Sequence, residues 1–244
     1  MVRVWLLPCV AACVPPGLDT WVDDFESYTA KAQVLAEGSD EGWSEQITAD
    51  GNGWTLVQDR VAGGEQAVRF EAVPTDGATS KASLFVNDMH LEEGTVVSFA
   101  ASYWLSEDSG RPFLMDLEED AVIGAGPGMR LWLDEDQALM LERKKYAEKD
   151  VYQDGSKVTF PRDQWVVLRM ETFLSQGRDG WVEVYQDDEL VLNVPDIRTL
   201  PRDRLYAIQG TRGAYTNVEV GITAAGVGGA VELWMDDVVV QTLR

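Results

Sequence analysis

Two pairs of neighbouring aspartates stand near opposite ends of the chain, Asp23-Asp24 in "WVDDFES" and Asp236-Asp237 in "WMDDVVV". Strand alternation turns one of Asp236 and Asp237 inward, and a buried carboxylate is costly without a partner. Oxygen ligands with neither histidine nor cysteine beside them suit calcium, which takes about six to eight oxygens. A second acidic stretch, "MDLEED" at 115–120, puts Asp116, Glu118 and Asp120 on one strand face. Paired carboxylates of that kind can cleave glycosidic bonds when an acid and a nucleophile stand about 5 to 5.5 Å apart. His90 is the only histidine and falls at a strand end beside Glu92 and Glu93. It reads as a surface residue at a turn, so a zinc site or a Ser-His-Asp triad has little to draw on. The tract "ERKKYAEKDVYQDG", 142–155, is the one cationic run in an acidic protein, and such runs are usually solvated loops.

The elements that position these groups are strands. Runs at 54–58, 66–73, 81–86, 95–105, 112–117, 129–133 and 138–142 read as strands, followed by others at 165–174, 181–185, 190–193, 217–223 and 231–240. Val166, Leu168 and Met170 alternate with Val167, Arg169 and Glu171, the period of a strand with one face on a core. Gly, Asp and Asn separate the runs, as turns require. No stretch keeps a sustained helical period, although 198–205 has room for one turn of helix. Nine tryptophans and 45% hydrophobic residues describe a packed body, and a dozen short strands without repeat or second linker point to one two-sheet antiparallel sandwich.

Charge narrows the partners. With 42 acidic and 20 basic residues the chain carries −22, which repels nucleic acid phosphate and anionic lipid. The start, "MVRVWLLPCVAAC", has Arg3 before a short apolar run, the layout of a secretion signal too short to span a bilayer. Its last four residues resemble a bacterial lipobox, which implies cleavage before Cys13 and lipidation of that thiol. An ordinary signal peptide or a displaced start codon are the alternatives. The expected organisation is a signal at 1–13, a Pro-Pro-Gly tether at 14–20 and a single β domain at 21–244, sited in the bacterial cell envelope or secreted, monomeric, and touching membrane only through the lipid.

The tract "ETFLSQGRDGWVEVYQDDELVLN" at 171–193, with "TNVEVGITA", "VELWMDDVVV", "DDFESY" and "DRVAGGEQAVRFEA", resembles concanavalin A-like jelly rolls of bacterial polysaccharide-lyase-like and laminin-G-like proteins. Asp187-Asp188 stands where the family's turn glycine is usual; aspartate tolerates a left-handed conformation, so the hairpin is expected to survive. The resemblance implies that first and last strands run side by side. Asp24 and Glu26 on one face would then meet Asp236 or Asp237 around a structural calcium ion. The alternative is a turn cap beside a solvated aspartate.

The cationic tract is similar to the Tyr-x-Lys-x-Gly-x-Tyr-x-Gln strand of alginate-lyase-like jelly rolls. That implies roles for Tyr146, Lys149, Tyr152 and Gln153, but Lys149 and Gln153 are each displaced by one position and the glycine is missing. A β-elimination site there needs Tyr146 or Tyr152 as base and Arg143 or Lys145 to neutralise the uronate. In "MDLEED" the acid types are interchanged relative to sandwich-fold glucanases, which favours an acidic turn. Trp104, Trp132, Trp165, Trp181 and Tyr185 lie in or beside strands, and Trp132, Tyr146 and Tyr152 are the candidate sugar contacts. The first expectation is an extracytoplasmic carbohydrate-binding domain without catalysis. The alternatives are a polysaccharide lyase acting on uronate-containing glycans and a structural or adhesive surface domain.

Overall fold

The computed structural model describes residues 20–35, 42–76, 79–87, 89–119, 128–144, 155–201, 213–226 and 228–243. These form two antiparallel sheets. The first holds eight strands: β1 (Thr20–Asp23), β3 (Gly53–Val57), β4 (Ala67–Ala72), β6 (Val96–Leu105), β11 (Trp165–Phe173), β12 (Gly180–Gln186), β13 (Glu189–Ile197) and β15 (Val231–Leu243). The second holds seven: β2 (Ser44–Ile47), β5 (Ala82–Val86), β7 (Pro112–Glu118), β8 (Gly128–Leu133), β9 (Ala138–Lys144), β10 (Gly155–Thr159) and β14 (Asn217–Ala225). One short helix, α1 (Lys31–Val34), lies between β1 and β2. No helix among the described residues is long and apolar enough to cross a membrane.

Alternation builds the core between the sheets. On β11, Val166, Leu168 and Met170 are buried and pair across to Tyr103, Ala101 and Phe99 of β6, while Val167 faces out and is 45% exposed. From the other sheet come Leu84 and Val86, Met115 and Leu117, Leu131 and Leu133, Leu139 and Leu141, and Val218 and Val220. Burying each such side chain stabilises by about 1.5–3 kcal/mol. Gly221, at φ +99, lets β14 close on the opposite sheet, because a Cβ there would strike the Phe70 ring.

The Asp187-Asp188 turn survives as the pattern implies. Asp187 sits at φ 51, its N–H donates to the Val167 carbonyl at 2.8 Å and, as no glycine could, its carboxylate accepts from the Val167 N–H at 3.0 Å. The hairpin is thereby tied to β11. Residues 198–201 hold no helix, and the remainder of the expected helical turn lies outside the described residues.

β15 forks the eight-stranded sheet. One edge pairs with β6 along its length; the other pairs with β4 over Val231–Met235 and with β1 over Val238–Gln241. The register against β6 shifts between Asp236 and Val239, and Asp237 takes φ 51, so the strand bulges between its two partners. The double aspartate occupies this gap.

Candidate functional sites

The fork collects acid because three segments end at it. β1 stops at Asp23, whose buried carboxylate accepts from the Phe25 N–H at 2.8 Å, Tyr28 hydroxyl at 2.8 Å and Trp43 indole N–H at 2.7 Å. That anchor turns the chain back, and Asp24 and Glu26 lie in the turn after β1, not on the strand; Asp24 accepts from the Glu26 N–H at 3.2 Å. The loop before β4 then folds over the gap. Ala62 and Gly63 donate backbone N–H groups to Asp236 at 2.9 and 3.2 Å, and Glu65 and Gln66 donate theirs to Glu26 at 2.8 and 2.9 Å. Gly64 has φ +56, and a Cβ there would collide with the Glu26 carboxylate.

Asp236 is 1% exposed, but it is covered by this loop and not by the core. It shares the outward parity of Trp234, and the bulge returns Val238 and Val240 to the inside, so neither aspartate points inward as simple alternation predicts. Burial, and then the Asp237 charge, push Asp236 up to about 7 despite its three backbone donors. Desolvation, and then the charges of Asp24 and Glu26, raise Asp237 as well. Asp237 therefore lies close enough to feel Asp24, Glu26 and Asp236. The donor set at the fork is oxygen only, the type that suits a hard divalent cation, although the three carboxylates that come within 4.8 Å of one another among the described residues are Asp116, Glu118 and Glu219.

The outward face of the seven-stranded sheet carries a second polar assembly. Asp116 on β7 pairs across with Arg130 on β8 and Glu219 on β14, and Arg130 pairs across with Glu142 on β9. Lys81 Nζ donates to both oxygens of Glu219 at 2.9 Å and to Gln46 at 2.9 Å, and the Ser83 hydroxyl also donates to Glu219. Thr223 donates to Asp116 at 2.8 Å. Burial and then the Asp116 charge raise Glu219, while Lys81 opposes them. Asp116, Glu118 and Glu219 bring carboxylate oxygens within 4.8 Å of one another. Beside them, Arg130 grips Glu142 through Nε and Nη2 at 2.9–3.0 Å, with its guanidinium 4.0 Å from the Phe113 ring centroid. Phe113 stacks on Trp132, centroids 5.4 Å apart. The result is an aromatic shelf with an arginine at its rim.

The sequence-derived candidates divide accordingly. Trp132 lies on the outward shelf. Arg143 does not: it has the parity of Leu139 and Leu141, is 4% exposed and donates to the Arg198 carbonyl, which turns it away from that face. His90 is exposed. On the eight-stranded sheet Trp54 faces inward, whereas Trp104, Trp165 and Trp234 form a row across its outer face. Cys13, Asp120, Lys145, Tyr146, Lys149, Tyr152 and Gln153 lie outside the described residues. Arg130, Glu142, Lys81 and Glu219 were missed as a group. Their only local signal is parity, clear for Arg130 and Glu219 between inward apolar neighbours but blurred for Lys81 and Glu142 by Ser80 and Arg143.

A family model described as polysaccharide lyase matches residues 35–239. Among solved structures, endo-β-1,4-glucuronan lyase from the fungus Trichoderma reesei is similar, with 16% identity, 83% of this chain and 92% of that chain covered, and a TM-score of 0.63. Cellulose induced protein Cip1 covers 90% of this chain and 95% of its own at 16% identity and TM-score 0.59. Alginate lyase Aly36B covers 92% and 97% at 10% identity and TM-score 0.60. A sequence search of curated proteins gave no match.

Proposed function

Because the chain belongs to the polysaccharide lyase family, we propose that it cleaves a uronate-containing glycan by β-elimination on the outward face of the seven-stranded sheet. This reverses the order of the readings drawn from residues alone, where binding without cleavage came first. The observation that carries it is a family match running through nearly every strand of the sandwich. Glucuronan and alginate, named for two of the similar structures, are both uronate polymers.

The chemistry asks for a cation on the sugar carboxylate, a base for the adjacent ring proton and a proton donor for the leaving oxygen. Arg130 suits the first task, since its Nη1 edge lies outside the Glu142 pair and its side chain is 20% exposed. Trp132 and Phe113 offer an apolar shelf for the sugar ring. Tyr146 or Tyr152, with Lys145, supply the base and further positive charge from the connection between β9 and β10. The second reading, a binder that leaves its glycan whole, is favoured by the pairing of Lys81 and Arg130 with Glu219 and Glu142, which already occupies those cations.

A panel of glycans separates the two. Release of ultraviolet-absorbing unsaturated uronates supports the lyase, and its loss in Arg130→Ala, with folding intact by circular dichroism, supports the assigned role. Retention of an unchanged glycan without new absorbance leaves the binder. In this same reading Asp24, Glu26, Asp236 and Asp237 hold a calcium ion that stabilises the fold and takes no part in the elimination. Cys13 carries a lipid at the cell envelope, a point tested by fatty-acid labelling of the wild type against Cys13→Ser.

A further inference from the structure

Arginines stacked on aromatic rings recur in this molecule, and nearly all of them also hold a glutamate. Arg69 over Trp234 is paired with Glu71 and Glu232, Arg130 over Phe113 with Glu142, and Arg169 over Tyr185 with Glu171. Arg60 breaks the pattern. Its guanidinium lies 3.5 Å from the Trp104 ring centroid and 3.9 Å from that of Trp234, in the corner of two indoles that meet edge to face. In a chain of charge −22 it makes no hydrogen bond or ion pair among the described residues. A guanidinium carries five N–H donors in a planar fork, and stacking satisfies none of them.

A second donor beside it is also unmet. Trp234 is only 5% exposed, and its indole N–H finds no acceptor among the described residues. Asp236 follows two residues along the same face, but its carboxylate is taken up by the Ala62 and Gly63 N–H groups and makes no ion pair with Arg60. Those bonds also pin the chain just after Arg60. The guanidinium is therefore held in place before any ligand arrives, which lowers the cost of binding one. Trp104 pairs across to Trp234 on one side and to Trp165 on the other. At about 4.8 Å between neighbouring strands the row is about 10 Å long, room for adjoining sugar rings. Trp104 and Trp165 are half-buried, and Val167, next along the face from Trp165, is 45% exposed, so the row is open to solvent.

We propose that the outer face of the eight-stranded sheet is a second, non-catalytic binding site for a uronate chain, with Arg60 taking a sugar carboxylate and Trp104 and Trp165 the rings. The choice of a uronate rests on the lyase reading above; the call for a carboxylate rests on Arg60. The ligand supplies to Arg60 what glutamates supply to Arg69, Arg130 and Arg169. Net charge opposes a polyanion at long range, but salt screens that repulsion beyond about 10 Å while the Arg60 pair forms at contact. Charge-assisted bonds to a planar fork and stacking on indoles then act together.

The two faces belong to different sheets, so one can be read with the other disabled. The test uses the full chain carrying Arg130→Ala, with glucuronan and alginate oligosaccharides as probes, calorimetry for affinity and tryptophan emission for the row. At least one oligosaccharide should bind and change the emission. Adding Arg60→Ala should weaken binding by about tenfold or more. Arg60→Lys should recover part of it, since an ammonium lacks the fork, and Trp165→Ala should cost about threefold. The carboxyl-reduced oligosaccharide should bind about tenfold more weakly to unaltered Arg60, a comparison that needs no variant of the site to fold. Absence of binding by both oligosaccharides overturns the site. So does equal affinity for the carboxyl-reduced form, or an Arg60→Ala protein, folded by circular dichroism, that binds as before. Unsaturated products from the wild type without binding by Arg130→Ala keep the lyase and remove this site; the reverse pattern keeps the site and removes the lyase.

Discussion

The two acidic assemblies answer the same electrostatic problem in opposite ways. On the seven-stranded sheet, Glu219 and Glu142 are met by side chains of the protein itself, Lys81 and Arg130, with Ser83 and Thr223 adding hydroxyl donors. At the fork, Asp236 and Glu26 are met only by backbone N–H groups, and no lysine or arginine pairs with any of the four carboxylates among the described residues. Backbone dipoles offset charge without cancelling it. The first assembly sets a cation of the protein against two of its carboxylates, while the second has backbone donors alone. Acid count alone would have ranked them equal.

That contrast can be broken in three ways. The largest effect should come from Glu219→Ala, which removes the carboxylate facing Lys81 at 15% side-chain exposure and leaves it Gln46. Losing one partner of a buried pair costs about 3–5 kcal/mol, and denaturant unfolding should show it equally with and without calcium. A loss below about 1 kcal/mol would mean the pair behaves as a surface contact. Next, calcium at about a hundredfold over its dissociation constant should stabilise the wild type by about 2.7 kcal/mol, a rise of about 5–10 °C in Tm for a chain of this size. Glu219→Ala should keep that rise and Asp236→Asn should lose most of it.

The smallest effect concerns pH in the cation-free protein. Asp236 titrates at about 7 in the folded state against an ordinary 3.8. Its contribution is therefore fully present below 3.8 and is lost as pH rises toward about 7. The Tm increment on adding calcium should be larger at about pH 8 than at about pH 5, since protons compete for the carboxylates at the lower value. An increment independent of pH would detach Asp236 from the ion.

Much of the architecture was legible because it is written locally. Twelve strand runs in the sequence correspond to twelve of the strands, several with edges shifted by a residue or more: β6 spans Val96–Leu105 against an expected 95–105, and β11 spans Trp165–Phe173 against 165–174. The strands overlooked carry weak alternation: β2 is Ser-Glu-Gln-Ile, and β10 is Gly-Ser-Lys-Val-Thr. At Asp187 the choice of residue foretold the backbone conformation. The fork was legible in part. Adjacency of the first and last strands followed from the family resemblance, and the pairing of Thr20–Asp23 with β15 agrees with it. The bulge at Asp237 was not readable, because period-two reasoning assumes an unbroken strand. Nor was the loop at 60–66, since a carboxylate satisfied by backbone N–H groups leaves no side-chain signature beyond Gly63-Gly64. The Arg130–Glu142 and Lys81–Glu219 pairs stayed hidden for a related reason. Parity says which side chains face outward on one strand, but only register says which of them meet across two.

The pairing of residue 20 with residue 241 has a kinetic corollary. β1 has no edge to join until the final strand has been synthesised, so its docking must be among the last events of folding. Until then β15 would show a bare half-edge beyond Met235, a place where another extended chain could add itself. Newly made protein should accordingly be most prone to aggregate in the interval before its two ends find each other.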